Sequence, residues 1–266
     1  MTAFWPSRNF QGVKNEKNQS NMCNRVATPG ERELSETPKT RQYSILESFQ
    51  EQYHVNGFAR PFLPCLLNNA ADSITLARWK FIPPHIQNDE GARKFANTLN
   101  ARGEELFEKP TFRAAASQSR GLLFVKGFWE PHKVKGKRKN DSYFIYMPQQ
   151  QIFALGIVYS EYTDSGSGVC YPTFAIVTCA PNKELSFVHN EGQRMPLILA
   201  PEDWEQWLFA ETKEEVSALI RPYKDGVLQY HKTMPVYTMP KAELNIPEVQ
   251  APYEAGPEYV QGSLFD

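Results

Sequence analysis

Hydrophobic and polar positions divide the chain into short pieces. Residues 62–67 and 74–81 are apolar runs bounded by Pro and Asn, and read as strands. Residues 121–129 form a longer apolar run, read as one buried strand, which a charged turn at 133–139 follows. Residues 142–146, 152–159 and 173–178 continue the strand pattern, so the middle of the chain reads as a meander. Helical spacing appears elsewhere. Ile45, Phe49 and Tyr53 recur four apart after Pro38, which predicts a helix over 40–53. Residues 90–99 and 111–120 also read as helices, the second carrying Ala114, Ala115 and Ala116. Pro201 opens a short helix over 201–208. Thr212-Lys213-Glu214-Glu215 is a capping box for another, which ends before Pro222.

Both flanks lack this periodicity. Residues 1–21 are polar and read as a disordered extension or a mis-assigned start. Beyond Pro240 the chain is rich in Pro and Glu, so 239–266 reads as a disordered tail. Between them, 22–238 reads as one α+β domain, with a mixed, mostly antiparallel sheet or open barrel and flanking helices. With 266 residues, 41% hydrophobic and 13% aromatic, the chain can bury a sizeable core.

The formal net charge of −1 means that any nucleic-acid surface must be a local patch. No apolar run is long enough to span a bilayer, and residues 1–11 carry no secretory pattern; the expectation is a cytoplasmic, nucleoid-associated protein with no membrane partner. Cys23, Cys65, Cys170 and Cys179 form no CxxC pair, and the five histidines show no HxxxH spacing. No metal and no cofactor is expected.

Four segments can carry chemistry. Cys23 stands at the edge of the polar extension, two residues before Arg25, whose charge would lower a thiol pKa. The other three cysteines lie in or near strand-like segments and read as small buried hydrophobes. Asn100-Ala101-Arg102-Gly103-Glu104 offers an amide and a phosphate-binding Arg, though a capped loop has the same composition. Glu130 ends the apolar run Gly127-Phe128-Trp129, where desolvation raises a carboxyl pKa; an exposed strand-end Glu is the plainer reading. His189 is a candidate proton shuttle ahead of Arg194-Met195-Pro196, although a lone His is more often structural. The turn at 133–139 is a solvated hairpin tip or a phosphate grip. Spacing alone does not choose a reaction.

In this order, Met22-Cys23-Asn24-Arg25, Asn100-Ala101-Arg102-Gly103-Glu104, Gly127-Phe128-Trp129-Glu130 and His189 with Arg194-Met195-Pro196 resemble the SRAP family, the SOS-response-associated peptidases or abasic-site processing proteins. The resemblance covers about residues 22–236. It implies an amino-terminal cysteine whose amine and thiol capture the aldehyde of an abasic site in single-stranded DNA as a thiazolidine crosslink. Carried over by position, it implies that Cys23 crosslinks, Asn100 orients, and Glu130 and His189 move protons. It also implies that Arg25, Arg102 and Arg194 hold phosphates, that Thr178 lines the pocket, and that Pro61 wedges the DNA stack. Peptidase and lyase activities belong to the same implication. Two local departures stand out: Pro131 where the family often has Trp, and Trp79-Lys80-Phe81-Ile82-Pro83-Pro84-His85, in which His85 takes the place of a stacking Trp.

A free α-amine on Cys23 requires either translation from Met22 with loss of the methionine, or self-removal of what precedes Cys23. The end of the chain, Gln261-Gly262-Ser263-Leu264-Phe265-Asp266, is similar to the short bacterial clamp-binding peptide. Gln261, Leu264 and Phe265 would then anchor the protein to a replication sliding clamp. Two other functions fit the same residues. One is a thiol peptidase acting on proteins through Cys23, His189 and Asn100. The other is a non-covalent single-stranded DNA binder tethered to the clamp.

Overall fold

The computed structural model describes residues 23–36, 43–86, 88–95, 98–240 and 244–253. In chain order the elements are β1 (Arg25–Thr28), α1 (Glu31–Glu36), β2 (Ser44–Ile45), β3 (Gln52–Asn56), β4 (Phe62–Leu67), β5 (Ser73–Trp79), α2 (Asp89–Lys94), β6 (Asn100–Arg102), α3 (Arg113–Gln118), β7 (Arg120–Val125), β8 (Gly127–His132), β9 (Asp141–Tyr146), β10 (Phe153–Thr163), β11 (Cys170–Cys179), α4 (Lys183–Val188), β12 (Met195–Pro196), β13 (Ile198–Leu199), α5 (Trp204–Phe209), α6 (Lys213–Leu219) and β14 (Gln229–Thr233).

β5, β4, β7, β10 and β11 are neighbours in that order, each pair antiparallel, and β11 returns to pair with β5 in parallel through Thr173↔Arg78 and Phe174↔Trp79. That last pairing closes a five-stranded barrel. A second, open sheet runs β14-β9-β8-β1-β3, antiparallel throughout. The α+β domain with a mostly antiparallel mixed sheet is as the sequence led one to expect. The barrel strands are buried almost continuously: every residue of β7 and all but the end of β10 are out of solvent, because both faces are covered. Arg120, at the start of β7, is buried and donates to the carbonyls of Ala116, Trp207 and Leu208, tying down the ends of α3 and α5.

The apolar run at 121–129 is two strands, not one. At Lys126 the chain leaves the barrel and enters the open sheet, because Lys126 N donates to Ala27 O while its ammonium bridges Glu33 and Glu51. Gly127 is required there, since a Cβ would meet the Phe144 ring and lie 2.7 Å from the Ile145 carbonyl oxygen.

The helix expected over 40–53 is absent from the described part of that span. Ser44–Ile45 pairs in parallel with β5 and Gln52–Asn56 pairs with β1, so long-range pairing overrides the four-residue spacing. The helix expected over 90–99 stops at Lys94, and Asn100 already lies in β6. The capping box at Thr212 forms as the sequence indicates, and α6 ends at Leu219, ahead of Pro222.

The expected disordered tail is partly built into the fold. Leu244 and Val249 are buried against Ala27, Trp129 and Phe144, and the Asn245 side chain accepts from Tyr53 N at 2.8 Å. This segment covers the outer face of the open sheet. Residues 1–21, and Gln261, Leu264 and Phe265 of the clamp-like end, lie outside the described residues.

Candidate active site

Cys23 lies two residues before the start of β1, the strand held between β3 and β8. Its side chain is 1% exposed and belongs to the main core, which corrects the expectation of an unburied border residue. Burial, and then the negative charge of Glu130, pushes the thiol well above its ordinary range. Arg25 does not lower it. The Arg25 guanidinium turns instead onto the Tyr237 ring, 4.6 Å from its centroid.

β8 brings up Glu130, which is 1% exposed. The β1–β8 register pairs Val26 with Phe128; carried two residues further, it sets Asn24 opposite Glu130, with Cys23 just beyond. The plainer reading, an exposed strand-end carboxylate, does not hold. Desolvation raises the Glu130 carboxyl well above the usual range, and the backbone N–H of Cys23 offsets this only in part. That N–H approaches without completing a hydrogen bond, and among the described residues neither Glu130 oxygen has another hydrogen-bond partner. A buried carboxylic acid beside the Cys23 nitrogen is a proton donor in position.

His189 follows α4. That helix is capped by Asn182, whose side chain accepts from Leu185 N at 3.0 Å. The imidazole is buried, with Nδ1 3.1 Å from the Arg194 carbonyl oxygen and 3.7 Å from Glu130 Oε2. If Nδ1 carries the proton, it donates to the Arg194 carbonyl and Nε2 is the basic nitrogen. Gly192 makes room for this ring, because a Cβ at that position would collide with His189 Nε2.

A second cluster stands on β11 and its neighbours. β6 pairs in parallel with β11, setting Asn100 opposite Ile176 and Arg102 opposite Thr178. Arg194 holds Glu104 through both guanidinium ends, Nη2 to Oε2 at 2.7 Å, and also donates to Thr178 O at 2.8 Å and Thr178 Oγ1 at 3.1 Å. Arg194 is therefore engaged in the wall of the site, which differs from the phosphate-facing role expected for it. Arg102 is exposed and lies 3.9 Å from Glu105. Through the Arg194 carbonyl, His189 joins this cluster to Glu130 and Cys23.

Pro61 lines a groove of about 490 Å³ together with His54, Thr28 and Phe62. Trp79 is buried and stacked on Phe174 at 6.2 Å, so it presents no face to solvent; His85 is exposed beside Phe95. Cys65 and Cys179 are buried as expected, whereas Cys170 is exposed near the outer end of its hairpin.

Two residues escaped the sequence reading. Tyr237 lies beyond β14 with its hydroxyl buried and without a hydrogen-bond partner among the described residues, held protonated by burial and by the charge of Glu130. His54, on β3, packs edge-on against Trp129 at 5.1 Å and is pushed down to about 4 by burial and by Arg25. Nothing local marks either one; both become polar neighbours of the site only through sheet pairing. Among the described residues, no group of three or more His, Cys, Asp or Glu could hold a metal ion, and no helix is long and apolar enough to cross a membrane.

The profile of the SOS response associated peptidase (SRAP) family matches residues 22–238. This chain belongs to the SRAP family. Its SRAP relatives include the abasic site processing protein YoqW of Bacillus subtilis, 26% identical over 214 residues that make up 78% of this chain and 91% of that protein. The mouse abasic site processing protein HMCES is 25% identical over 203 residues, 66% of this chain and 55% of HMCES. Among solved structures, a Bacteroides thetaiotaomicron protein superposes with a TM-score of 0.77 at 26% identity, covering 87% of this chain and 100% of its own. A Bordetella bronchiseptica protein at 17% identity shares the SRAP fold with a TM-score of 0.66.

Proposed function

We propose that this SRAP protein captures abasic sites in single-stranded DNA through Cys23, acting as an amino-terminal residue. The observation that carries the reading is the buried Glu130 carboxyl beside the backbone nitrogen of Cys23, with His189 Nδ1 3.7 Å from the same carboxyl. The abasic site processing proteins among the relatives supply the substrate class.

The ring-opened abasic sugar carries an aldehyde. The α-amine of Cys23 adds to its carbonyl carbon to give a carbinolamine. Neutral Glu130 donates a proton to the departing hydroxyl, water leaves, and the nitrogen returns its proton to the Glu130 carboxylate as the imine forms. The Cys23 sulfur then adds to the imine carbon, its proton passes to the nitrogen, and a five-membered thiazolidine closes. No oxidant or reductant is consumed. The high thiol pKa favours this order, because a neutral thiol leaves the first attack to the amine. Asn100 orients the reacting groups, while exposed Arg102 and half-buried Pro61 face the strand; Arg25 and Thr178, both buried, act from the wall of the pocket. A free amine arises by either route given above, and self-cleavage would use the same thiol and carboxyl.

A protein beginning at Cys23, mixed with uracil-containing single-stranded DNA treated with a uracil glycosylase, should give a heat-stable shifted band on a denaturing gel. Cys23→Ala should abolish it. A band of equal intensity with Cys23→Ala would overturn the assignment.

A further inference from the structure

The turn at 133–139 carries Lys133, Lys135, Lys137, Arg138 and Lys139, an intense local charge in a chain of net charge −1. A tile of rings lies against its base. Phe187, half exposed, sits 5.0 Å from His132, 5.6 Å from Tyr230 and 6.4 Å from Tyr143, measured between centroids. Tyr143 and Tyr230 are themselves 5.9 Å apart. Scattered exposed apolar residues need no explanation. A half-exposed Phe187 backed by three partly buried rings and flanked by five cations is a different feature.

The tile is fixed in place. His132 Nδ1 lies 3.0 Å from the Phe187 carbonyl oxygen. Lys133 N donates to Asn190 Oδ1, and Asn190 Nδ2 donates back to Lys133 O, both at 2.9 Å. The base of the basic turn is thereby locked to the segment after α4, leaving its side chains beyond position 134 in solvent. The two elements that carry the reacting pair also carry two of these rings, His132 and Phe187. Glu130 and His132 lie two apart on one face of β8, about 7 Å, and Phe187 and His189 flank the end of α4.

Resting on the proposed action on single-stranded DNA, we infer that Phe187, held in place by His132, Tyr143 and Tyr230, is a stacking platform for a base neighbouring the lesion. The lysines and Arg138 of the 133–139 turn hold the phosphates of that same flank. Stacking accepts any base, and cations track the backbone without reading sequence, so the subsite adds affinity without sequence preference. A duplex keeps its bases stacked internally and gains nothing from the rings.

Fluorescence anisotropy with the whole chain tests this, using a labelled oligothymidine and a duplex of equal length. Phe187→Ala should weaken oligothymidine binding roughly tenfold, the usual weight of one base–aromatic stack, and leave duplex binding and melting temperature unchanged. Phe187→Trp should restore the affinity. Replacing Lys135, Lys137, Arg138 and Lys139 with Ala should flatten the dependence of log K on log salt for the oligothymidine. Unchanged oligothymidine binding by Phe187→Ala, or equal loss on both DNAs, overturns the platform while single-strand binding itself stands. Failure of the unsubstituted protein to bind oligothymidine overturns both readings.

Discussion

A glycine sets the position of the proposed proton shuttle. His189 is enclosed between the Arg194 carbonyl and Glu130, and Gly192 is the backbone that closes the space over Nε2. Gly192→Ala forces the imidazole to move or the turn to open. A misplacement of about 1 Å in such a group lowers a rate by around a hundredfold. The expected result is therefore a crosslinking rate down by about two orders of magnitude in single-turnover gels, with a loss of stability of about 1–3 kcal/mol in denaturant titration. An unchanged rate would remove His189 from the chemistry. The residues were only partly legible in the sequence. Glu130 stands out as a carboxyl closing an apolar run, although the strand continues to His132 and buries Glu130 within it. Cys23 reads as a border residue because its burial depends on β3 and β8, which arrive from elsewhere in the chain. Cys170 fails in the opposite sense: its strand is apolar, but it lies at the exposed outer end of the hairpin with β11 and β10.

At the scale of the element, the open sheet gathers buried polar atoms with no hydrogen-bond partner among the described residues: Arg25 Nε and Nη1 and Thr28 Oγ1 from β1, His54 Nε2 from β3, and both Glu130 oxygens from β8. Buried groups of this kind cost stability, and such groups cluster where function retains them. His54 makes that cost measurable. Its folded pKa, about 4, lies below the ordinary value of 6.5. The unfolded chain therefore takes up a proton between those values while the folded chain does not. The contribution of His54 is complete above pH 6.5 and is lost as the pH falls through 4, amounting to about 3 kcal/mol at most. Replacing His54 with Phe should flatten the stability profile between pH 6.5 and 4, read by denaturant unfolding at stepped pH. A profile as steep as that of the unsubstituted protein would show that His54 charges freely in the fold. β4 was legible to the residue, because six apolar or neutral positions between Pro61 and Asn68 allow little else. The 40–53 segment was not, because pairing with β5 and β1 outweighs spacing in so short a stretch.

For the whole molecule, the α+β class and mostly antiparallel sheet follow from the strand spacing, but the division into a closed barrel and an open sheet does not. The division is made at Lys126, where one backbone hydrogen bond and two carboxylates turn the chain. It matters for function because β1 and β8, which position Cys23 and Glu130, belong to the open sheet, whereas β11, which carries Thr178, belongs to the barrel. His189 and Arg194 join the two. The segment around Leu244 and Val249 then seals the back of the open sheet with apolar residues too irregularly spaced to read as an element. The central claim is that the α-amine of Cys23, not its thiol alone, captures the abasic aldehyde. Acetylating that amine on a chain beginning at Cys23, while the thiol is reversibly protected and then freed, tests it directly on abasic single-stranded DNA. The account predicts no heat-stable band from the acetylated chain and a full band from its unacetylated counterpart. An acetylated chain that still forms the band would contradict it.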